Sequence, residues 1–171
     1  MKTPVCTFLG LLIATSALAG ETSKKATAYF PVTKNPEQSA GAISEFESVW
    51  YSKHLRAMGE PSLFPPKNTV TAYRLLVLPT WGHPISVRAE LVGGAYKLTA
   101  CRLDGQGGYE PGKVAEKHEV TLTKDDTASL TALLNALRMF KRPTKDGHLG
   151  MDGDQWILEG VAGGRYHILN L

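Results

Sequence analysis

Hydrophobic and polar residues alternate most cleanly over Ile85–Leu91. Ile85, Val87, Ala89 and Leu91 fall on one side, and Ser86, Arg88 and Glu90 on the other. That period of two predicts a strand with one wet face. Gly93-Gly94 is a hairpin signal, and Ala95–Leu103 resumes the alternation, with Tyr96, Leu98 and Ala100 set against Lys97, Thr99 and Cys101. Upstream, Thr69–Leu78 carries apolar groups on both sides, as expected of a central strand covered on both faces. Arg74 interrupts it, as either the strand's one polar tip or a buried cation needing a carboxylate partner. Val114–Leu122 predicts a further strand with Lys117 and Glu119 outward. The last two strands, Gln155–Gly160 and Arg165–Leu171, flank Val161-Ala162-Gly163-Gly164. Folding about Ala162-Gly163 sets Leu158 opposite His167, and Glu159 opposite Tyr166, with Trp156 and Leu158 on one face.

The period changes to 3.6 twice. Ser44-x-x-Glu47 is a capping box, followed by Phe46, Val49, Trp50, His54 and Ala57 at helical spacing, then Gly59 and Pro61 as stop signals. This predicts a helix over Ser44–Met58, with His54 a hydrogen-bonded histidine at the core's edge. Leu130, Leu133, Leu134, Leu137 and Phe140 form a second stripe, predicting a helix over Lys124–Phe140 that docks on the sheet. The elements add up to a single α+β domain: a mainly antiparallel sheet of about five or six strands with two helices packed on it.

Residues 1–19 read as a cleaved signal peptide. Lys2 precedes an apolar run ending in Ala17-Leu18-Ala19, the small-x-small pattern of a peptidase site. Cys6 lies at the start of that run rather than its end, so no lipid anchor is expected. A periplasmic or secreted, soluble protein follows as the expectation, since no later apolar stretch has spanning length. Residues 20–43 read as a polar, loosely packed arm, and 44–171 as the domain. Losing Lys2 lowers the formal charge from +3 to +2, too little to argue for nucleic acid or a membrane surface. Cys101 is then the sole cysteine, so no internal disulfide is expected. Placed mid-strand, it reads as a small hydrophobe.

Catalytic and metal motifs are sparse. His83, His118, His148 and His167 are far apart, with no H-E-x-x-H and no C-x-x-C. Asp146, His148, Asp152 and Asp154 could ring a cation, but their spacing is not that of the EF-hand loop and no Glu closes one. The glycines of 104–112 form a loop of high freedom that matches no phosphate-binding pattern. No metal or cofactor is therefore expected. The favoured reading is a non-catalytic binding or interaction module of the cell envelope, partnered by an envelope protein or a small ligand. Its candidate recognition surface is Arg74, Tyr109, Trp156, Glu159 and Tyr166. A small periplasmic hydrolase using a carboxylate/His pair drawn from Glu60, Asp152, Glu159 and His167 is the alternative. A third reading makes Glu60, Arg74, Arg88 and Glu159 structural ion pairs.

Four stretches carry a resemblance. They are L-R-A-M-G-E-P-S-L at Leu55–Leu63, Y-R-L-L-V-L-P-T-W-G-H-P-I-S-V-R at Tyr73–Arg88, G-G-Y-E-P-G at Gly107–Gly112, and D-G-D-Q-W-I-L-E-G with R-Y-H within Gly150–His167. Together they resemble a group of small exported bacterial proteins of unassigned function. The resemblance implies export and brings no activity with it. Members of that group often continue past R-Y-H into an Arg-Trp-Ser-Pro-like end, where this chain has Ile168-Leu169-Asn170-Leu171.

Overall fold

The computed structural model describes residues 29–36, 41–145 and 153–171. The proposed leader lies outside them, as do Asp146, His148 and Asp152. Chain order is α1 (Glu45–Ala57), β1 (Ala72–Leu78), β2 (Ile85–Val92), β3 (Ala95–Leu103), β4 (Val114–Thr121), α2 (Lys124–Leu137), β5 (Gln155–Ala162) and β6 (Arg165–Asn170), with a 3₁₀ turn at Met139–Lys141. The six strands form one antiparallel sheet in the order β4-β3-β2-β1-β5-β6. Strands β1 to β4 are a meander with short links. Chain leaving β4 crosses back over the sheet, and the β5–β6 hairpin then pairs beside β1.

Helix α1 begins where the capping box requires. Ser44 Oγ accepts the Glu47 N–H, and the Glu47 carboxylate accepts the Ser44 N–H. Gly59, at φ +68°, lets the chain leave the helix in the left-handed region. The stripe that docks is not the predicted one. Tyr51, Leu55 and Met58 are buried with Leu76, Leu78, Cys101, Leu103, Ile157 and Ile168, while Phe46 is 74% exposed. Apolar residues occupy two faces of this helix, and the sheet could cover only one.

The 20–43 segment also departs from expectation over its described part. Phe30 and Ile43 are buried in the same core, and Phe30 meets Tyr51 edge-on at 6.0 Å. Thr33 N–H donates to Ile43 O, and Ile43 N–H to Pro31 O, tying the segment to the start of α1. Residues 29–36 thus belong to the domain, because Phe30 fills the space beside Tyr51 and the backbone bonds hold it there.

Helix α2 is shorter and more open than its leucine stripe predicts. Thr123 caps it by accepting the Asp126 N–H, but Arg138 turns left-handed at φ 49° and ends it before Phe140. Thr127 is its only buried residue, Leu130, Leu134 and Leu137 are half-buried, and Leu133 is 68% exposed. Sheet cover on this side comes instead from Met139, whose sulfur lies 2.5 Å from where a Cβ on Gly160 would be.

The terminal hairpin turns at Gly163-Gly164, both at positive φ, rather than at Ala162-Gly163. Glu159 therefore faces Ile168, and Leu158 faces Leu169. The shift from the predicted register is two residues, so the assignment of side chains to faces survives it. Trp156, Leu158, His167 and Leu169 lie on the α2 side. Ile157, Glu159, Tyr166 and Ile168 lie on the α1 side.

Candidate ligand-binding groove

Sheet pairing decides where the predicted site residues meet. Arg74 on β1 is opposite Arg88 on β2 and Glu159 on β5, so the centre of the buried α1 face carries three charged side chains in a row. Arg74 and Glu159 are fully enclosed. Arg74 Nε donates to Glu159 Oε2 at 2.8 Å, and its Nη1 donates to Pro61 O at 2.6 Å. Glu60, delivered by the turn after α1, lies 3.6 Å from Arg74 and accepts from Arg88 Nε at 2.9 Å. Arg88 reaches on to Glu90. Tyr166 Oη donates to the other Glu159 oxygen at 2.8 Å, and Tyr29 Oη donates to Glu60 O at 2.7 Å. Burial pushes the Glu159 carboxyl upward, against the opposing pull of Arg74 and Tyr166; burial beside that carboxylate holds the Tyr166 phenol well above its ordinary value.

This network closes on itself. Every charged head has an internal partner, as a buried ion cluster must have to offset desolvation. Arg74 and Glu159 are consequently not at a surface, which corrects their place in the predicted recognition face. The carboxylate/His arrangement is not assembled among the described residues either. His167 projects from the opposite side of the sheet from Glu159, donates Nε2–H to Arg142 O at 2.8 Å, and packs against Phe140. Asp152 lies outside the described residues. Of the predicted surface, Tyr109 and Trp156 are exposed, the latter by 46%, but Trp156 sits on the α2 side of the sheet, away from Tyr109.

A second constellation forms where α1 faces the loop 104–112. Phe46, Val49, Trp50 and Lys53 recur at i, i+3, i+4 and i+7, on the helix face the sheet leaves open. Across from them stand Thr80, Gly108 and Tyr109, with Gly153 and Gln155 completing an open groove of about 510 Å³. Phe46 stacks obliquely on Trp50 at 5.9 Å, and Tyr109 on the exposed Trp81 at 5.3 Å, so each wall carries an aromatic pair, with Trp81 touching Tyr109 but not itself lining the groove.

Three residues of one helical turn join the walls. Trp50 Nε1–H donates to Gly107 O at 2.8 Å, Lys53 pairs with Glu110 at 3.3 Å, and His54 sets its ring nitrogens toward Trp50 O and Gln106 O at 3.0 and 3.4 Å. His54 is hydrogen-bonded as expected but fully buried rather than at the core's edge, and burial lowers its pKa. The loop itself is well tied, contrary to its glycine-rich appearance. Gly107 N–H bonds Gly82 O, and Gly108 N–H bonds Thr80 O. A Cβ on Gly107 would come within 2.5 Å of Pro79 O, so glycine is needed there for close backbone approach.

The groove offers little proton chemistry. Among the described lining residues, the one readily ionisable side chain besides the Tyr109 phenol is Lys53, already paired with Glu110. Among the described residues no group of three or more His, Cys, Asp or Glu is placed to hold a metal ion. Cys101 is buried, and burial raises its thiol pKa, the opposite of nucleophile activation. Phe46, Val49, Trp50 and Trp81 were missed as candidates because helical spacing and aromatic character read as core. The available signal was the surplus of apolar residues on α1, enough for two stripes. Comparison of the chain with family models, with curated proteins and with solved structures finds no match.

Proposed function

We propose that this protein is a non-catalytic binding module, exported to the cell envelope, whose groove takes a neutral apolar segment of a partner polypeptide carrying an aromatic or proline side chain. The observation that carries the reading is the pair of aromatic walls, tied to each other at one end by side-chain bonds and left open to solvent. Its volume falls within the range of ligand sites, and its aromatic lining suits a rigid apolar side chain. The Lys53–Glu110 pair is self-neutralising, so a charged ligand would find no uncompensated partner among the described lining residues. Polar side chains able to order a sugar's hydroxyls are few, with Thr80 and Gln155 the main uncharged ones in the lining. Export rests on the leader-like residues 1–19.

The test is titration of the purified protein with short neutral peptides bearing Trp, Phe or Pro, followed by the fluorescence of Trp50 and Trp81 and by calorimetry. Saturable binding that is lost in a folded Phe46→Ala/Tyr109→Ala variant supports the reading. Equal binding by that variant, or binding only of charged peptides, removes it.

A further inference from the structure

The two edges of the sheet are treated differently. Outside β6 the chain returns to cover the edge: Lys145 bridges to Asn170 in parallel, and Asn170 N–H donates to Thr144 O at 2.7 Å. Outside β4 no described residue pairs, and all eight residues of that strand are exposed. An edge of this length presents a row of unsatisfied N–H and C=O groups ready to join another strand.

We propose that the outer edge of β4 pairs antiparallel with the same edge of a second copy, about a two-fold axis at His118. Among axes at the three middle residues of the strand, charge selects that register. A two-fold axis normal to the sheet makes residues on the same face meet, so the axis must pass through a residue position. Centred on Lys117, it would set Lys117 against its own copy, and centred on Glu119 it would do the same with Glu119. Centred on His118, it sets Lys117 opposite Glu119 of the second copy, twice by symmetry, and Glu116 opposite Val120.

Lys117 makes no ion pair with any described residue, whereas Glu119 is held at 2.6 Å by Lys97 on β3. The pairing therefore gives Lys117 a partner and places Glu119 between two cations. Glu116 keeps its bond to Arg102, which lies across the β3–β4 ladder and clear of the outer edge. An irregularity in that ladder beside Arg102 and Leu103 limits the regular run to residues 116–121, so the pairing is short. A reversible dimer with a continuous sheet spanning both copies follows, independent of the groove.

Sedimentation velocity across a micromolar concentration series tests it. The wild-type protein should pass from monomer to dimer. Lys117→Glu and Glu119→Lys should each weaken the dimer by about tenfold or more, because both symmetric pairs become repulsive. Mixing the two variants should restore association. In the mixed dimer the two substituted side chains, now of opposite sign, face each other, and the native Glu119 of one chain faces the native Lys117 of the other. Circular dichroism confirms that each variant folds, and Lys117→Glu disturbs no ion pair within the monomer. A wild-type protein that stays monomeric, variants that dimerise unchanged, or a mixture that does not associate would each overturn the proposal.

Discussion

The interior ion cluster and the aromatic groove are built from opposite materials in opposite places. The cluster puts Arg74, Glu159, Glu60 and Arg88 inside, where water is excluded, and the groove puts Phe46, Val49, Tyr109 and Trp81 outside. Each inverts the ordinary distribution of polar and apolar groups. They differ in whether the inversion is compensated. Every charge of the cluster is met by an internal carboxylate, cation, carbonyl or phenol, so nothing remains for a ligand. The groove's rings meet one another across only part of their surface, and the rest faces solvent. Residue chemistry alone would have drawn attention to the cluster; satisfaction of partners redirects it to the groove.

The largest expected effect lies in the cluster. Arg74→Met leaves Glu159 buried without its cation and should destabilise the protein by about 3–5 kcal/mol in urea denaturation. Arg74→Met/Glu159→Leu should recover most of that loss. A single variant as stable as the wild type would show that the cluster is not what holds the centre of the sheet.

Gly107→Ala strikes the joint between the groove's two walls. Its methyl group meets the backbone of Leu78 and Pro79, and an overpacking cost of about 1–3 kcal/mol is expected. Displacement of the loop should also raise the exposure of Trp50, visible as a red shift of its fluorescence. Phe46→Ala/Tyr109→Ala, in contrast, should change stability by only about 0.5 kcal/mol, since both side chains are exposed, while abolishing peptide binding. Loss of stability comparable to that of Arg74→Met would mean the groove's rings are structural.

The smallest effect concerns pH. Burial holds His54 and His167 below the ordinary imidazole value of 6.5. The unfolded chain therefore takes up these protons first as pH falls. Stability from both groups is fully present above 6.5 and declines as pH drops through 6.5 towards their folded-state values. His54→Gln should flatten that decline in thermal melts, and an unchanged slope would show that His54 does not contribute to it.

Several features are legible in the sequence. Ser44-x-x-Glu47 specified a helix start because a capping box is a local hydrogen-bonding pattern. The alternation of Ile85–Leu91 and Ala95–Leu103 specified strands joined at Gly93-Gly94, because pleating and turn chemistry act over adjacent residues. Arg74 announced itself as a cation in an apolar strand, with a carboxylate partner among the alternatives. Its partners could not be read with the same assurance, because Glu159 is 85 positions away and arrives only when β5 pairs with β1.

Local pattern failed where two apolar surfaces competed for one partner. On α1, Phe46 and Val49 satisfy helical spacing as well as Tyr51 and Leu55 do, and packing against the sheet chose the latter. On α2, the leucine stripe is sound, yet Arg138 ends the helix early and Met139 takes the place beside Gly160. The sequence by itself determined the elements, the start of each helix and an antiparallel α+β class, since these depend on neighbours a few residues apart. Tertiary structure alone decided which faces close and which stay open, because burial is settled by the shape of the opposing surface, and that surface is assembled from distant parts of the chain.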